Sequence, residues 1–326
     1  MAKTGNPRHG SMQYWPRVRA KKETPRVRFF AQTAKDGVVG FAAYKAGMTQ
    51  VQYTDNRKTS LTKGQALSVP VTILECPPIS VIGFRYYSQT QDGFKTVYQQ
   101  NAKKLPVEVK KRLGEAKKTA ETKEPSQDSL SFVRLIVATQ PKATGFAKKV
   151  ADIFELPIQG SIEQQIAYAK EQLGKSIAVS DVYAPGDLLD VHAVTKGKGY
   201  QGPVKRFGVS LRQQKSEKTR RGPGSLGGWK AQGHVMYRIA YAGQTGYHLR
   251  TEHNKKLLFI GDDVSKVNPQ GGIVRYGVVK TTYILVSGSV AGPKKRLVLL
   301  TPASRPSKKL GGDAPAIDAI TTAAQN

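Results

Sequence analysis

Between Thr195 and Lys256 the chain has almost nothing from which to build a core of its own. From Val194 to Lys256 there are fourteen Lys or Arg against two acids, Glu217 and Glu252. Glycine recurs at 197, 199, 202, 208, 222, 224, 227, 228, 233, 243 and 246, and apolar runs are few. A loop longer than about 15 residues with no core is unusual in a compact domain. Such a segment is either disordered or folds against another molecule, and its charge selects a polyanion. Glycine lets the backbone take φ > 0 and approach a surface closely. Arginine adds a planar fork and lysine a flexible point charge. Together these suit a folded RNA with crevices better than a regular duplex groove.

The rest of the chain points the same way. It carries 52 Lys and Arg against 23 Asp and Glu, a formal charge of +29. A chain this basic attracts polyanions. Nucleic acid and anionic membrane are the two candidates, and the basic footprint favours nucleic acid. No run approaches the roughly 20 apolar residues that span a bilayer, and no basic amphipathic helix is present to lie on one. The N-terminus is basic without a following apolar stretch, so no secretory signal is expected. Trp15, Pro16 and Pro25 interrupt any amphipathic transit helix. The single cysteine, Cys76, allows no intramolecular disulfide and no cysteine-rich zinc site. It closes the apolar run VPVTILEC and is expected to be a buried structural thiol.

Five segments follow from the pattern. Residues 1–36 form a basic arm with Lys3, Arg8, Arg17, Arg19, Lys21, Lys22, Arg26 and Arg28, interleaved with Tyr14, Trp15, Phe29 and Phe30. It has no helical or strand periodicity, which predicts an extended arm that orders on RNA. Residues 37–94 read as short strands: VVGFAAYKAG, MTQVQYTD, VPVTILEC and ISVIGFRYYS. Close spacing with turn signals suggests a barrel or sandwich. Residues 95–180 read as an α/β insertion. LPVEVKKRLGEAKKTAE has roughly helical spacing, SFVRLIVATQ is a buried strand, and SIEQQIAYAKEQLG is a helix. Ser161 and Gln164 make the helix's capping box, Ile162, Ile166, Ala169 and Leu173 its apolar face, and Gly174 its stop. From 181 to 306 strands return in DLLDVHAVTKG, KLLFIGDD, GGIVRYGVV, TTYILVSGSV and KRLVLLTPA. They are expected to complete one barrel with 37–94, from which the finger at 195–256 departs. Residues 307–326 are a Pro- and Lys-bearing tail with an Ala-rich terminus.

Several patterns that suggest enzymes fail on context. Gly197-x-Gly199-x-x-Gly202 matches a dinucleotide fingerprint, but Pro203 follows at once and no amphipathic helix continues. Glu217, at the acidic position, lies in QQKSEKTRR rather than at a strand end. His248 and His253 are five residues apart, which puts them on opposite faces of a strand. No acidic cluster completes a metal site with them or with His234, so RNA or backbone contacts are the simpler reading. No G-x-S-x-G elbow is present. Trp229, in SLGGWKAQGH, has few apolar neighbours, which favours a tip residue that stacks on bases.

The arm RHGSMQYWPRVRAKKETPRVRFF with GVVGFAAYKAGMTQV, then TKGKGYQGPVKRFGV at 195–209, GHVMYRIAYAGQTGYHLRTEHNKK at 233–256 and GSVAGPKKRLVLLTPA at 288–303, resembles the universal large-subunit ribosomal protein three family in its archaeal and eukaryotic form. The resemblance covers about residues 8–306 and implies that the tail at 307–326 is variable. It implies a mainly β fold: a translation-type closed β-barrel with an α/β insertion and two long RNA-binding extensions. It implies no catalysis, no cofactor and no small-molecule substrate; magnesium or other ions would enter only through bound RNA. The implied partners are large-subunit ribosomal RNA and neighbouring ribosomal proteins, in the cytoplasm, with a role in early subunit assembly. Trp229 stands at the family's tryptophan tip, which approaches the peptidyl transferase centre. Lys196, Lys198, Lys205 and Arg206 fall in the RNA-contacting turn that opens the finger, and Arg220 and Arg221 in its basic base. Many eukaryotic relatives have histidine where Arg220 stands, so no role of that histidine carries over. The matched motifs add Arg8, Trp15, Arg17, Arg19 and Lys45 as candidate RNA contacts. Beyond the tip they add His234, Arg238, Gln244, His248, Arg250, Lys255 and Lys256.

Overall fold

The computed structural model describes residues 8–32, 36–57, 60–114, 125, 130–215, 218–228, 233–310 and 314–322. It divides into two compact units: Glu23–Ala193 with Arg250–Asn326, and Met1–Lys22 with Val194–Leu249. The fold is mainly β. The first unit holds nearly all of the regular structure.

In chain order that unit contains β1 (Gly37–Val38), β2 (Phe41–Thr54), β3 (Ala66–Glu75), β4 (Ile79–Thr90) and β5 (Gly93–Asn101). Then come α1 (Val107–Leu113), β6 (Phe132–Ala138), β7 (Ile153–Gln159), α2 (Ile162–Gln172), β8 (Ser176–Ile177), α3 (Val179–Val182) and β9 (Leu188–Val194). The second unit contributes β10 (Tyr200–Gln201), α4 (Pro203–Phe207) and β11 (Gly243–Gln244). The chain returns to the first unit along β12 (Leu249–Gly261), then β13 (Tyr283–Ser287), β14 (Leu297–Pro302) and β15 (Ile317–Ile320).

One sheet runs β14-β9-β12-β13-β3-β2-β15, and β14 pairs β2 as well as β9. Its backbone is a long antiparallel hairpin of β2 and β3, in register from Tyr44↔Glu75 to Thr54↔Ala66. VVGFAAYKAG and MTQVQYTD read as two strands parted by glycine. From Phe41 onward they form one strand, and the ladder slips between Lys45 and Gly47, which leaves Ala46 as the extra residue of a bulge. Tyr44, Leu74, Leu189, Leu257, Ile284 and Leu300 are fully buried within this sheet's core. Each such side chain contributes about 1.5–3 kcal/mol of burial. The tail also joins: β15 pairs β2 from Ile317↔Tyr53 to Ile320↔Val51.

The second sheet runs β1-β7-β6-β4-β5, with β8 on β4. This moves a boundary. ISVIGFRYYS was expected with the barrel strands of 37–94, but it becomes β4, paired to β5, β6 and β8. The cause is local. After Glu75 come Cys76, Pro77 and Pro78, and proline has no N–H to continue a ladder, so the chain leaves the first sheet there. Cys76 is buried as expected, and burial pushes its thiol pKa well up.

Helix α2 matches its sequence pattern closely. Ser161 Oγ accepts from Gln164 N–H at 3.4 Å and Gln164 Oε1 from Ser161 N–H at 2.8 Å, which completes the capping box. Ala169 is fully buried, and Ile162, Ile166 and Leu173 pack on the core. Gln165, unanticipated, is also buried; its amide bonds Val133 N–H at 2.8 Å and Gly160 carbonyl at 2.9 Å, tying the helix to β6.

GGIVRYGVV is not a strand. Only Ile273 and Gly277 bridge, across a tight turn. The β-branched residues suggested a strand, but among the described residues the segment joins no ladder beyond that bridge. The loop is held by the buried Glu75 carboxylate instead. It accepts from Lys280 N–H at 2.8 Å, Thr281 N–H at 3.1 Å and the Tyr276 hydroxyl.

Candidate nucleic-acid interface

The second unit joins the N-terminal arm to the basic stretch, two segments far apart in sequence. The arm was expected to be extended and to order on RNA. It is irregular apart from a short 3-10 turn at Met12–Tyr14, but it lies along the stretch. Ala20 N–H donates to Tyr247 carbonyl at 2.8 Å. The buried His248 ring donates from Nδ1 to Val18 carbonyl at 2.8 Å, and a carbonyl acceptor fixes the proton on Nδ1. Arg8 reaches Arg238 carbonyl at 2.7 Å.

Phe207 sits where the arm meets α4. The Arg17 guanidinium lies 4.4 Å from its ring centroid and that of Arg206 4.9 Å. Trp15 is tilted against the same ring at 6.2 Å, and Arg8 lies 5.9 Å from the Trp15 centroid. Arg19 lies 5.2 Å from the Tyr247 ring. A cation on an aromatic face gains about 0.5–2 kcal/mol, so the rings let like-charged segments pack. Gly10 makes the approach to Phe207 feasible. Its φ is +81°, and a Cβ there would stand 2.6 Å from the Phe207 ring.

The root of the stretch is a small framed turn. Thr195 N–H donates to His248 carbonyl at 3.0 Å, Lys198 N–H to Thr245 carbonyl at 2.9 Å and Thr245 N–H to Gly199 carbonyl at 2.8 Å. β10 pairs β11 through Tyr200↔Gln244. Gly246 must be glycine: at φ +75°, a Cβ would lie 2.1 Å from Lys196 carbonyl oxygen. α4 has five residues and ends at Gly208 in the left-handed region. That is too short to be the helix a dinucleotide fingerprint needs.

This frame sorts the candidate residues. Lys196, Lys198 and Lys205 are exposed at the root, and Arg220, Arg221, His234 and Arg238 are exposed further out. Arg8 and Arg19 are also exposed. Arg206 turns inward: Nε donates to Gln244 carbonyl at 3.1 Å and an Nη to Tyr241 carbonyl at 2.9 Å. Burial pulls its pKa below the usual value. Gln244 bonds Gly246 carbonyl at 3.0 Å, and His248 holds the arm. Trp15 and Arg17 are half-buried in the Phe207 cluster. Trp229 lies outside the described residues.

Four candidates fall in the other unit. Arg250, Lys255 and Lys256 are half-buried on β12, where Lys255 pairs Glu252 at 3.2 Å. The Lys45 ammonium caps the carbonyls of Val290 and Gly292, the latter at 3.1 Å. Burial lowers its pKa, and Lys294 lowers it further. His253 bonds the buried Asp190 at 2.8 Å. Sequence reasoning missed Phe207 and Tyr247, the two rings that receive arm cations. Their only signal was an aromatic beside arginine or glycine in a basic run. Among the described residues no group of His, Cys, Asp and Glu is placed to hold a metal ion. Likewise, none of their helices is long and apolar enough to cross a membrane.

A family model described as Ribosomal protein L3 matches residues 1–325. The chain belongs to the ribosomal protein L3 family. It is 43% identical over 325 residues to the large ribosomal subunit protein uL3 of Methanothrix thermoacetophila, covering 97% of each chain. With uL3 of Methanothermobacter thermautotrophicus it shares 41% over 336 residues, covering 100% of this chain and 99% of that one. With uL3 of Archaeoglobus fulgidus it shares 44% over 309 residues, covering 93% of each. These relatives are named as ribosomal proteins and not as enzymes.

Proposed function

We propose that the chain is a structural constituent of the large ribosomal subunit that binds large-subunit ribosomal RNA through its arm and basic finger. It works within cytoplasmic ribosomes beside neighbouring ribosomal proteins. The observation that carries this is the arm–finger unit. Its frame of backbone hydrogen bonds and ring-bound arginines leaves Lys196, Lys198, Lys205, Arg220, Arg221 and Arg238 turned to solvent. A backbone frame already set in the free chain has less to order when its cations meet phosphates, so less entropy is lost on binding. The finger, with Trp229 at its tip, reaches toward the peptidyl transferase centre, and the arm and finger support early subunit assembly. In this reading the two-sided pairing of β14 closes the first sheet into a barrel, and residues 79–180 form its insertion.

Binding should weaken steeply with salt. If those six cations each meet one phosphate, log affinity should fall with log salt at a slope of about −4 to −5. Titrating the full chain into large-subunit ribosomal RNA at stepped potassium concentrations measures this. Trypsin cleavage within 8–32 and 195–256 should fall once RNA is added. A flat salt response, or cleavage that RNA does not protect, refutes the proposal.

A further inference from the structure

In the larger unit, two tight turns each carry a basic residue where the backbone favours glycine. In Ile273-Val274-Arg275-Tyr276, the Tyr276 N–H donates to Ile273 carbonyl at 2.9 Å, and Arg275 has φ +63°. In Pro293-Lys294-Lys295-Arg296, the Arg296 N–H donates to Pro293 carbonyl at 3.3 Å, and Lys295 has φ +72°. The third residue of such a turn is normally glycine or asparagine. A larger side chain is disfavoured there, and such outliers gather at functional positions.

The two turns are fastened together. Lys294 Nζ donates to Val274 carbonyl at 2.7 Å. Lys295 N–H donates to Lys45 carbonyl at 2.7 Å, and the Lys45 ammonium reaches Val290 and Gly292 in the segment before the second turn. Arg275 and Lys295 are exposed. Among the described residues neither they nor Lys294 forms an ion pair with an acid. Acids on nearby segments are engaged elsewhere, Glu252 with Lys255 and Glu23 with Arg296. Burial and the charge of Arg275 together hold the Lys294 ammonium below its usual pKa. The like charges of Arg275 and Lys294 repel one another in the free chain, and a polyanion relieves that repulsion.

We propose that Arg275, Lys294 and Lys295 form a second phosphate-binding site that takes an RNA backbone on the larger unit. This rests on the reading of the chain as an RNA-binding ribosomal protein. An arginine fork beside the Lys294 ammonium, with Lys295 exposed on the adjoining turn, matches phosphate. A protein interface would instead centre on buried apolar anchors, and the turns offer only the exposed Val274 and Val278.

The test uses the full chain and large-subunit ribosomal RNA, with affinity measured over stepped salt. Three double variants are compared: R275G/K295G, R275Q/K295Q and, in the finger, K196A/K198A. Both turn variants should weaken binding and flatten the salt slope by about 2, one for each lost phosphate contact. R275G/K295G should melt no lower than the unsubstituted chain, because glycine relaxes the left-handed positions. A flattened slope in the finger variant with none in the turn variants overturns this site and leaves the function standing. Loss of salt-dependent binding in the unsubstituted chain overturns both. A lower melting temperature for R275G/K295G overturns the site, since the residues would then serve the turns. RNA affinity unchanged but incorporation into subunits lost assigns the cluster to an acidic protein neighbour and overturns the RNA form.

Discussion

Replacing His248 with phenylalanine tests how the arm is held. The ring is buried, and its Nδ1–H meets the Val18 carbonyl at 2.8 Å. His248→Phe keeps the ring's bulk and removes the donor. One hydrogen bond contributes about 1 kcal/mol net, and an acceptor left unpaired costs about 1–3 kcal/mol. Two further contacts stay in place, Ala20 N–H on Tyr247 carbonyl at 2.8 Å and Arg19 at 5.2 Å from the Tyr247 ring. The loss should therefore be local, about 1–2 kcal/mol, which raises the open population of the arm about 5- to 30-fold. Trypsin reads this out at the exposed Arg19, Lys21 and Lys22. When reclosing is faster than cutting, the cleavage rate follows the open population. We expect cleavage of the arm to accelerate by that factor in the free chain, with cleavage sites in Glu23–Ala193 unaffected. An arm cut at the unsubstituted rate refutes the proposed latch. A uniform rise across both units refutes its locality.

Lys198→Ala should weaken RNA binding across sequences and flatten the salt slope by about 1, in the same titration. Trp229→Ala should remove about 1–3 kcal/mol of stacking and change chemical probing of the RNA around the peptidyl transferase centre; an unchanged pattern there counts against the tip. Gly145→Ala should destabilise the larger unit by about 3 kcal/mol or more, because its Cβ would fall 1.7 Å from Val278 carbonyl oxygen, and overpacking alone costs about 1–3 kcal/mol; thermal melting checks it. Acid should loosen the same unit in two steps. Burial lowers the His192 pKa, so the folded state prefers neutral imidazole; stability is full above the unfolded value of about 6.5 and falls as pH drops through the folded one. Burial raises the Asp190 pKa, but bonds from Ser304, His253 and Asn254 outweigh it and hold it low. Its contribution is full above about 3.9 and is lost as pH falls through the lower folded value. Melting curves between pH 7 and 2 should show both steps, the second beginning below about 3.9, and H192Q should abolish the first.

What the sequence disclosed was local, and what it concealed was a choice between distant partners. Helix α2 was legible because its cap, apolar face and stop lie within a few residues of one another. The strand at 79–90 was legible as a strand but not as a member of the six-stranded sheet. Its partners lie at 93–101 and 132–138, and nothing in its own pattern distinguishes them from the strands of the other sheet. GGIVRYGVV misled because β-branched residues signal strand, while the outcome depended on the carboxylate of Glu75. The charge misled more subtly. The stretch and the arm each looked like a segment that orders on RNA. Instead Arg17 and Arg206 share Phe207, Arg19 takes Tyr247, and Arg206 bonds two backbone carbonyls. These cations hold the frame, so mutating them should disturb arm and finger together before it disturbs any phosphate. The exposed lysines at 196, 198 and 205 have no such duty. The net charge of +29 therefore does not count the phosphates that the chain meets. The salt slope, not the charge count, separates the cations that build the surface from those that use it.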